Sequence, residues 1–421
     1  MPLPPTTPST AGFDSVADSP MANGMMRSVR QWWRPPRALR ERPGERRVTF
    51  LELFYDLVYV VVIAQLSHHL AHDISGVAIG EFAFLFALVW WAWVNGAMYH
   101  DLHGHNDIRT RVFTFIQMFS VAAMAVFAGD ATGSGSMGFA LAYAGFHLVL
   151  TFLWWRTGVY DRSHRPISAV YSLVFLVTTV LFASTALMPA PWRIRVWALA
   201  LVLDLFLPLF LFFVIRRGHT AQLTEVTASA AERFGLFTII VLGEVIVGVV
   251  GGVLEHSHLS WQVGGTAALG MVIAVGIWWV YFDFVSNRLP RANRVSTLAW
   301  TYLHLPVTIG IASVGAALLN VVEHGQHALP DAVHWLLVGA IASTLLGIAL
   351  LMWVMHLSED ELRGYRRAKH IVLLAGIVAA ALGFVRLDTP TVLAILAVLL
   401  LVPAAMVFLL KPSGAASENH T

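Results

Sequence analysis

A polytopic, all-α membrane bundle of about twelve spanning helices follows from three features of this chain: its composition, the lengths of its apolar runs and the placement of its arginines. Apolar residues make up 57% of it and charged residues only 12%, with a mean hydropathy of +0.69. A soluble domain carries roughly 25% charged residues, so there is about half the charge needed to cover a soluble surface. The formal net charge of +2 comes from arginines at loop ends, not from a face for nucleic acid. With no cysteine in the sequence, disulfides, thiolate metal sites and Cys nucleophiles are excluded.

Runs long enough to cross roughly 30 Å of hydrocarbon fall near 49–69, 79–99, 112–129, 137–155, 167–188, 193–215, 232–254, 262–285, 298–320, 333–356, 369–386 and 391–410. Of the 27 lysines and arginines, 24 lie before the first run or beside the segments that follow even-numbered runs. After odd-numbered runs come only Arg193, Arg195 and Arg386. The excess of positive charge on one side predicts that both termini are cytoplasmic. No short apolar core precedes a small-residue cleavage site, so no cleaved signal peptide is expected.

The predicted organisation is a disordered Pro/Ser/Thr-rich tail over 1–26, a basic juxtamembrane segment over 27–47, a six-helix unit over 48–217, a cytoplasmic linker over 218–231, a second six-helix unit over 232–411 and a short tail over 412–421. Trp32 and Trp33 among the arginines of the second segment suit the headgroup region. The two units read as parallel repeats. Glu52-Leu53-Phe54 matches Glu232-Arg233-Phe234. Trp90-Trp91 with Trp93 and Asn95 matches Trp278-Trp279 with Tyr281 and Asp283. Phe115-Ile116-Gln117 matches Tyr302-Leu303-His304, and Pro208 matches Pro403. Transport folds commonly place their pathway at such a repeat interface.

Polar residues inside spanning runs are costly, roughly 2.5 to 3.5 kcal/mol for a central charge on insertion scales, and so mark sites. The first run holds Glu52, Asp56, Gln65 and His68; Glu52 and Asp56, four apart, share a helix face near Arg46 and Arg47. They read either as an ion-paired cluster or as a carboxylate pair for a proton or cation. In the seventh run Glu232 opens the helix and Glu244 sits near mid-membrane beside Gly243, with His304 and Gln65 as expected neighbours. Asp283 lies near Arg288 and is expected to pair with it. Asp204, Asn95, His147 and Asn320 read as interhelical hydrogen bonders. The ion- or proton-binding candidates are therefore Glu52, Asp56, Gln65, Glu232, Glu244, Asp283 and His304.

Two histidine groups raise a metal reading: His68, His69, His72 and Asp73 on the outer side, and His100-Asp101-Leu102-His103-Gly104-His105, expected in an inner loop. Neither outweighs the ordinary use of histidine as a polar loop residue, and no metal site is assigned. A P-loop, a nucleophile elbow and a zinc-protease motif are all missing from the sequence, so no enzyme activity and no cofactor are expected. The spacing of Gly376 and Ala380 suits close helix packing within or between chains.

The stretch FLELFYDLVYVVVIAQLSH (50–68) with ERFGLFTIIVLGE (232–244) resembles the bacterial low-temperature-requirement A (LtrA) family of multispanning membrane proteins. YFDF (281–284) and YLHLP (302–306) extend the resemblance over most of 47–411. It implies an inner-membrane protein linked by name to growth in the cold, without a settled biochemical activity. A fainter likeness joins Phe54-Tyr55-Asp56 to the Phe-Ser-Asp core of two-repeat endolysosomal cation channels; it departs at Tyr55 and, in the second unit, at Leu236. The expected function is transport or conduction of protons, monovalent cations or a small solute through buried carboxylates. The alternative is a non-transporting membrane sensor or assembly factor for cold adaptation, and behind it an integral-membrane enzyme, for which HDLHGHND (100–107) is the candidate motif. Expected partners are membrane lipids, the ion or solute, and a second copy of the chain, with no nucleic acid.

Overall fold

A computed structural model describes residue 36 and residues 48–104, 108–214, 226–286, 288–324, 329–357 and 362–410. The tails, most of the basic segment 27–47 and the linker up to residue 225 lie outside them. Among the described residues there are twelve helices and no strand: α1 (Phe50–His72), α2 (Gly76–His103), α3 (Ile108–Ala128), α4 (Ser136–Tyr160), α5 (Arg165–Thr185), α6 (Ala190–Val214), α7 (Ala228–Leu254), α8 (Trp261–Phe284), α9 (Arg294–His324), α10 (Asp331–Val354), α11 (Leu362–Leu382) and α12 (Thr389–Leu410).

The helices begin where the sequence supplies caps. Thr49 and Glu52 form a capping box at α1, each satisfying a backbone N–H of the other. Ser75, Thr227 and Ser260 accept from the third backbone N–H of α2, α7 and α8. Successive helices run antiparallel, so the odd-numbered ones all begin at one end of the bundle, here the near end, and finish at the far end. Cross-links agree with this: Tyr365 at the start of α11 donates to the Phe284 carbonyl at the end of α8. At the far end Asn320 of α9 donates to the Ala71 carbonyl of α1 at 2.6 Å.

Eleven of these helices are long and apolar enough to span a membrane. The exception is α11. Its first two turns carry Arg363, Arg366, Arg367 and Lys369, which leave too short an apolar remainder; the predicted run at 369–386 covers only its later part. The basic ends of several helices were expected in connecting segments. Arg109, Arg156 and Arg233 instead lie within α3, α4 and α7, each buried.

The same order of neighbours runs through both groups of six helices: α1–α3–α4–α5–α6 in one and α7–α9–α10–α11–α12 in the other. The surroundings of matched residues differ. α9 is the inner helix, packed against α1, α2, α6, α7, α8 and α10, with 72% of its spanning window buried. Its counterpart α3 packs mainly on α1 and α4 and is 39% buried over the same measure. Trp90 and Trp91 are fully enclosed, while Trp278 is exposed. The two groups meet where α1 and α2 press on α7 and α9.

Close backbone approach is concentrated where α7 crosses α9. A Cβ added to Gly248 would stand 2.1 Å from the Gly315 carbonyl oxygen, and one added to Gly315 would stand 2.5 Å from the Glu244 carbonyl oxygen. Gly252, four residues after Gly248, meets Leu319 in the same way, a G-x-x-x-G spacing used for tight helix pairs in membranes. Gly243 has nothing within 4 Å of its Cβ position; it lies off the face that α7 turns to α9. Gly376 packs on Leu346 of α10, so that small-residue spacing serves packing inside the chain.

Candidate functional site

The junction of the two groups is built on Asp56. It lies two turns into α1, 1% exposed, and receives three hydrogen bonds. Arg233 of α7 donates Nη2–H to Oδ1 at 2.5 Å and Nε–H to Oδ2 at 3.3 Å. Trp93 of α2 donates its indole N–H to Oδ1 at 2.8 Å. Arg233 is itself 1% exposed, and its remaining nitrogen, Nη1, donates to the Ala97 carbonyl at 3.0 Å. A guanidinium in so dry a position requires a carboxylate in bidentate register and acceptors for its other N–H groups; Asp56 and Ala97 supply them.

Aromatic rings enclose this pair. The guanidinium carbon of Arg233 lies 5.6 Å from the centre of the Tyr55 ring. Tyr55 and Tyr59 share a hydroxyl hydrogen bond at 2.9 Å. Gly96 is required beside them, because a Cβ there would lie 1.9 Å from the Tyr55 hydroxyl. Trp93 stacks on Phe237 with ring centres 4.1 Å apart and meets Phe234 edge-on at 4.9 Å.

Phe234 links this cluster to a second one across α7, α8 and α9. It lies 4.5 Å from Trp300 and 4.9 Å from His304, ring centre to ring centre. His304 Nδ1 is 2.6 Å from the Trp300 carbonyl, which can only accept, so Nδ1 carries the proton in the neutral ring. Its Nε2 then accepts from the Tyr281 hydroxyl at 3.1 Å.

The sequence-predicted candidates thus separate. Asp56 is held by Arg233; Arg46 and Arg47, expected beside it, lie outside the described residues. Glu52 serves the cap of α1 through Thr49. The match between Glu52 and Glu232 fails in environment, since Glu52 is buried and Glu232 exposed. Gln65 is exposed near the far end, beside the turn at Gly129. Arg288 donates to the backbone carbonyl of Asp283. His304 is engaged by Tyr281, and neither it nor Gln65 is joined to Glu244.

Glu244 stands apart. It is 11 residues beyond Arg233 on α7, about 16 Å along the helix axis, and so near the middle of the span. It is 5% exposed, at the glycine crossing with α9, and its carboxylate has no hydrogen-bond or ion partner among the described residues. Buried side-chain atoms without a hydrogen-bond partner among those residues include the indole N–H groups of Trp90, Trp91 and Trp300, Asn95 Nδ2 and both ends of the Gln117 amide.

The remaining polar residues bind helices together. Asp204 of α6 accepts from Thr178 of α5 at 2.8 Å, and its other oxygen lies 3.1 Å from His147 Nε2 of α4, out of line for a good hydrogen bond. His100, Asp101 and His103, expected in a loop, form the buried last turn of α2. There His100 Nε2 is 3.2 Å from the Thr114 hydroxyl, Asp101 accepts from Thr227 at 2.7 Å, and the His103 ring packs on His164 at 4.9 Å. His105 lies outside the described residues.

Sequence reasoning missed the role of Arg233, placing it among loop charges. The available signal was its register: it follows the Thr227 cap by six residues, inside the helix, with Phe234 and Phe237 on either side of the turn.

Taken together, the helices and the buried interhelical ion pair define a multi-pass α-helical membrane protein. The chain belongs to the family described as Bacterial low temperature requirement A protein (LtrA), whose model matches residues 47–406. It is also 28% identical over 311 residues to an uncharacterized protein of Rhizobium meliloti (strain 1021), an alignment covering 69% of this chain and 72% of that protein.

Proposed function

We propose that this membrane protein is a transporter or channel for protons, monovalent cations or a small solute, with Glu244 as the group that meets the transported species. The observation that carries the reading is a carboxyl group buried near the middle of a spanning helix with no protein partner among the described residues. A carboxylate at that depth requires a cation, water or its own proton, and each of these is what a proton or cation pathway provides. The unpartnered indole and amide groups of Trp90, Trp91, Asn95, Gln117 and Trp300 add hydrogen-bonding capacity on the helices around the junction. Asp56, its oxygens filled by Arg233 and Trp93, acts as the fixed point against which α7 is held.

The shared order of neighbours in the two helix groups supports two parallel six-helix units, and the arginine distribution supports an inner-membrane location with cytoplasmic termini. No catalysis or cofactor enters this reading. Membrane lipids and a second copy of the chain are its macromolecular partners. Proteoliposomes holding the purified wild type, under imposed pH and potassium gradients, test it: flux above protein-free vesicles supports transport. No flux under either gradient from folded protein favours a sensor or assembly role instead.

A further inference from the structure

The far end of α1 carries a pair of side chains that neither the junction nor Glu244 uses. His68 and His72 are one helical turn apart, both exposed, with a hydrogen bond of 3.3 Å between their Nε2 atoms, one protonated and one not, and rings nearly perpendicular at 4.4 Å between centres; a metal ion would replace that shared proton. Two imidazole nitrogens bound at 2.0–2.1 Å to a tetrahedral ion stand about 3.3–3.4 Å apart. The helix therefore already presents the nitrogen separation that such an ion requires. The i, i+4 spacing is the one by which a single helix face supplies two histidine ligands in zinc proteins.

The electrostatics of this end favour a cation. Asp73 caps α1 directly after His72. Asp130, in the neighbouring turn between α3 and α4, accepts from the Ser134 hydroxyl and backbone N–H, which hold its carboxyl below the usual range, and it faces His69. Arg193, one of the few cationic side chains toward this end, is committed to Ser136 and the Met188 carbonyl.

We propose that His68 and His72 form a surface chelate for a borderline divalent transition-metal ion such as Zn²⁺ at the far end of α1. Each ring then holds its proton on Nδ1 and gives its Nε2 lone pair to the metal. Among the described residues no third His, Asp or Glu completes a ligand set, so water fills the other positions and the ion exchanges readily. Mg²⁺, which demands oxygen ligands in octahedral array, is rejected. The site stands independently of the transport reading, being at the opposite end of α1 from Asp56.

Zinc titration by calorimetry of the full-length, tag-free and chelator-stripped protein in detergent tests this. One Zn²⁺ per chain is expected to bind, unaffected by millimolar Mg²⁺. His68→Ala and His72→Ala are each expected to weaken that step by about tenfold or more, with His69→Ala unchanged. Because all three residues are exposed, the variants keep the fold, which their melting temperatures check. Absence of zinc binding by the wild type, or binding indifferent to both His68→Ala and His72→Ala, would overturn the proposal.

Discussion

Arg233 and Asp56, 177 residues apart, form a bidentate ion pair that is almost wholly removed from solvent and joins α7 to α1. Its position explains why α2 contributes Trp93 and the Ala97 carbonyl to the same point: in a membrane, each N–H of a buried guanidinium needs an acceptor, and each carboxylate oxygen a donor.

Removing one partner is therefore predicted to cost far more than removing both. Asp56→Leu or Arg233→Leu leaves an uncompensated buried charge and is expected to destabilise the fold by about 3–5 kcal/mol. The double variant Asp56→Leu/Arg233→Leu is expected to recover most of that loss. Thermal unfolding of the four proteins in one detergent checks it; additive losses would show that the pair does not act as a unit.

The α7–α9 crossing gives a second test. Gly248→Ala and Gly315→Ala each drive a methyl group into backbone, which cannot yield as a side-chain tip can, and overpacking of this kind costs about 1–3 kcal/mol. Gly243→Ala, with open space around its Cβ position, is expected to fall within about 0.5 kcal/mol of wild type. Equal melting temperatures for all three variants would contradict the close approach.

Acid sensitivity is predicted from His164, in the near-end turn between α4 and α5. Burial pushes its imidazole down to about 4, with Asp161 opposing in part. In the unfolded chain the ring titrates near 6.5. Above that pH it is neutral in both states and its contribution is complete. As pH falls from 6.5 toward 4 the unfolded chain takes the proton first, and stability declines by roughly 3 kcal/mol in all. His164→Phe is expected to flatten the dependence of melting temperature on pH across that window; an unchanged slope would assign the effect elsewhere.

Much of this architecture was legible from residue order. Hydropathy located all twelve helices, because a spanning segment must satisfy its own backbone and so writes a long apolar run. Glu244 and Asp204 stood out as polar residues in apolar runs. The partners of Asp204 did not, since pairing across helices depends on rotation about each axis: a single residue step, about 100° of rotation, separates Arg233, facing Asp56, from exposed Glu232. The repeat reading met the same limit. The order of neighbours is common to both groups, but α9 lies inside and α3 at the edge, so Gln117 and His304, alike in position, differ in what surrounds them.

Transport through Glu244 is the central claim, and paired flux measurements on wild type and Glu244→Gln test it most directly. Both proteins are reconstituted at equal density after gel filtration and melting temperature show the same fold, and pH-dye and potassium signals are recorded under imposed gradients. Flux in the wild type that is lost or altered in selectivity in Glu244→Gln is the predicted result. Equal flux in the two proteins would remove Glu244 from the pathway.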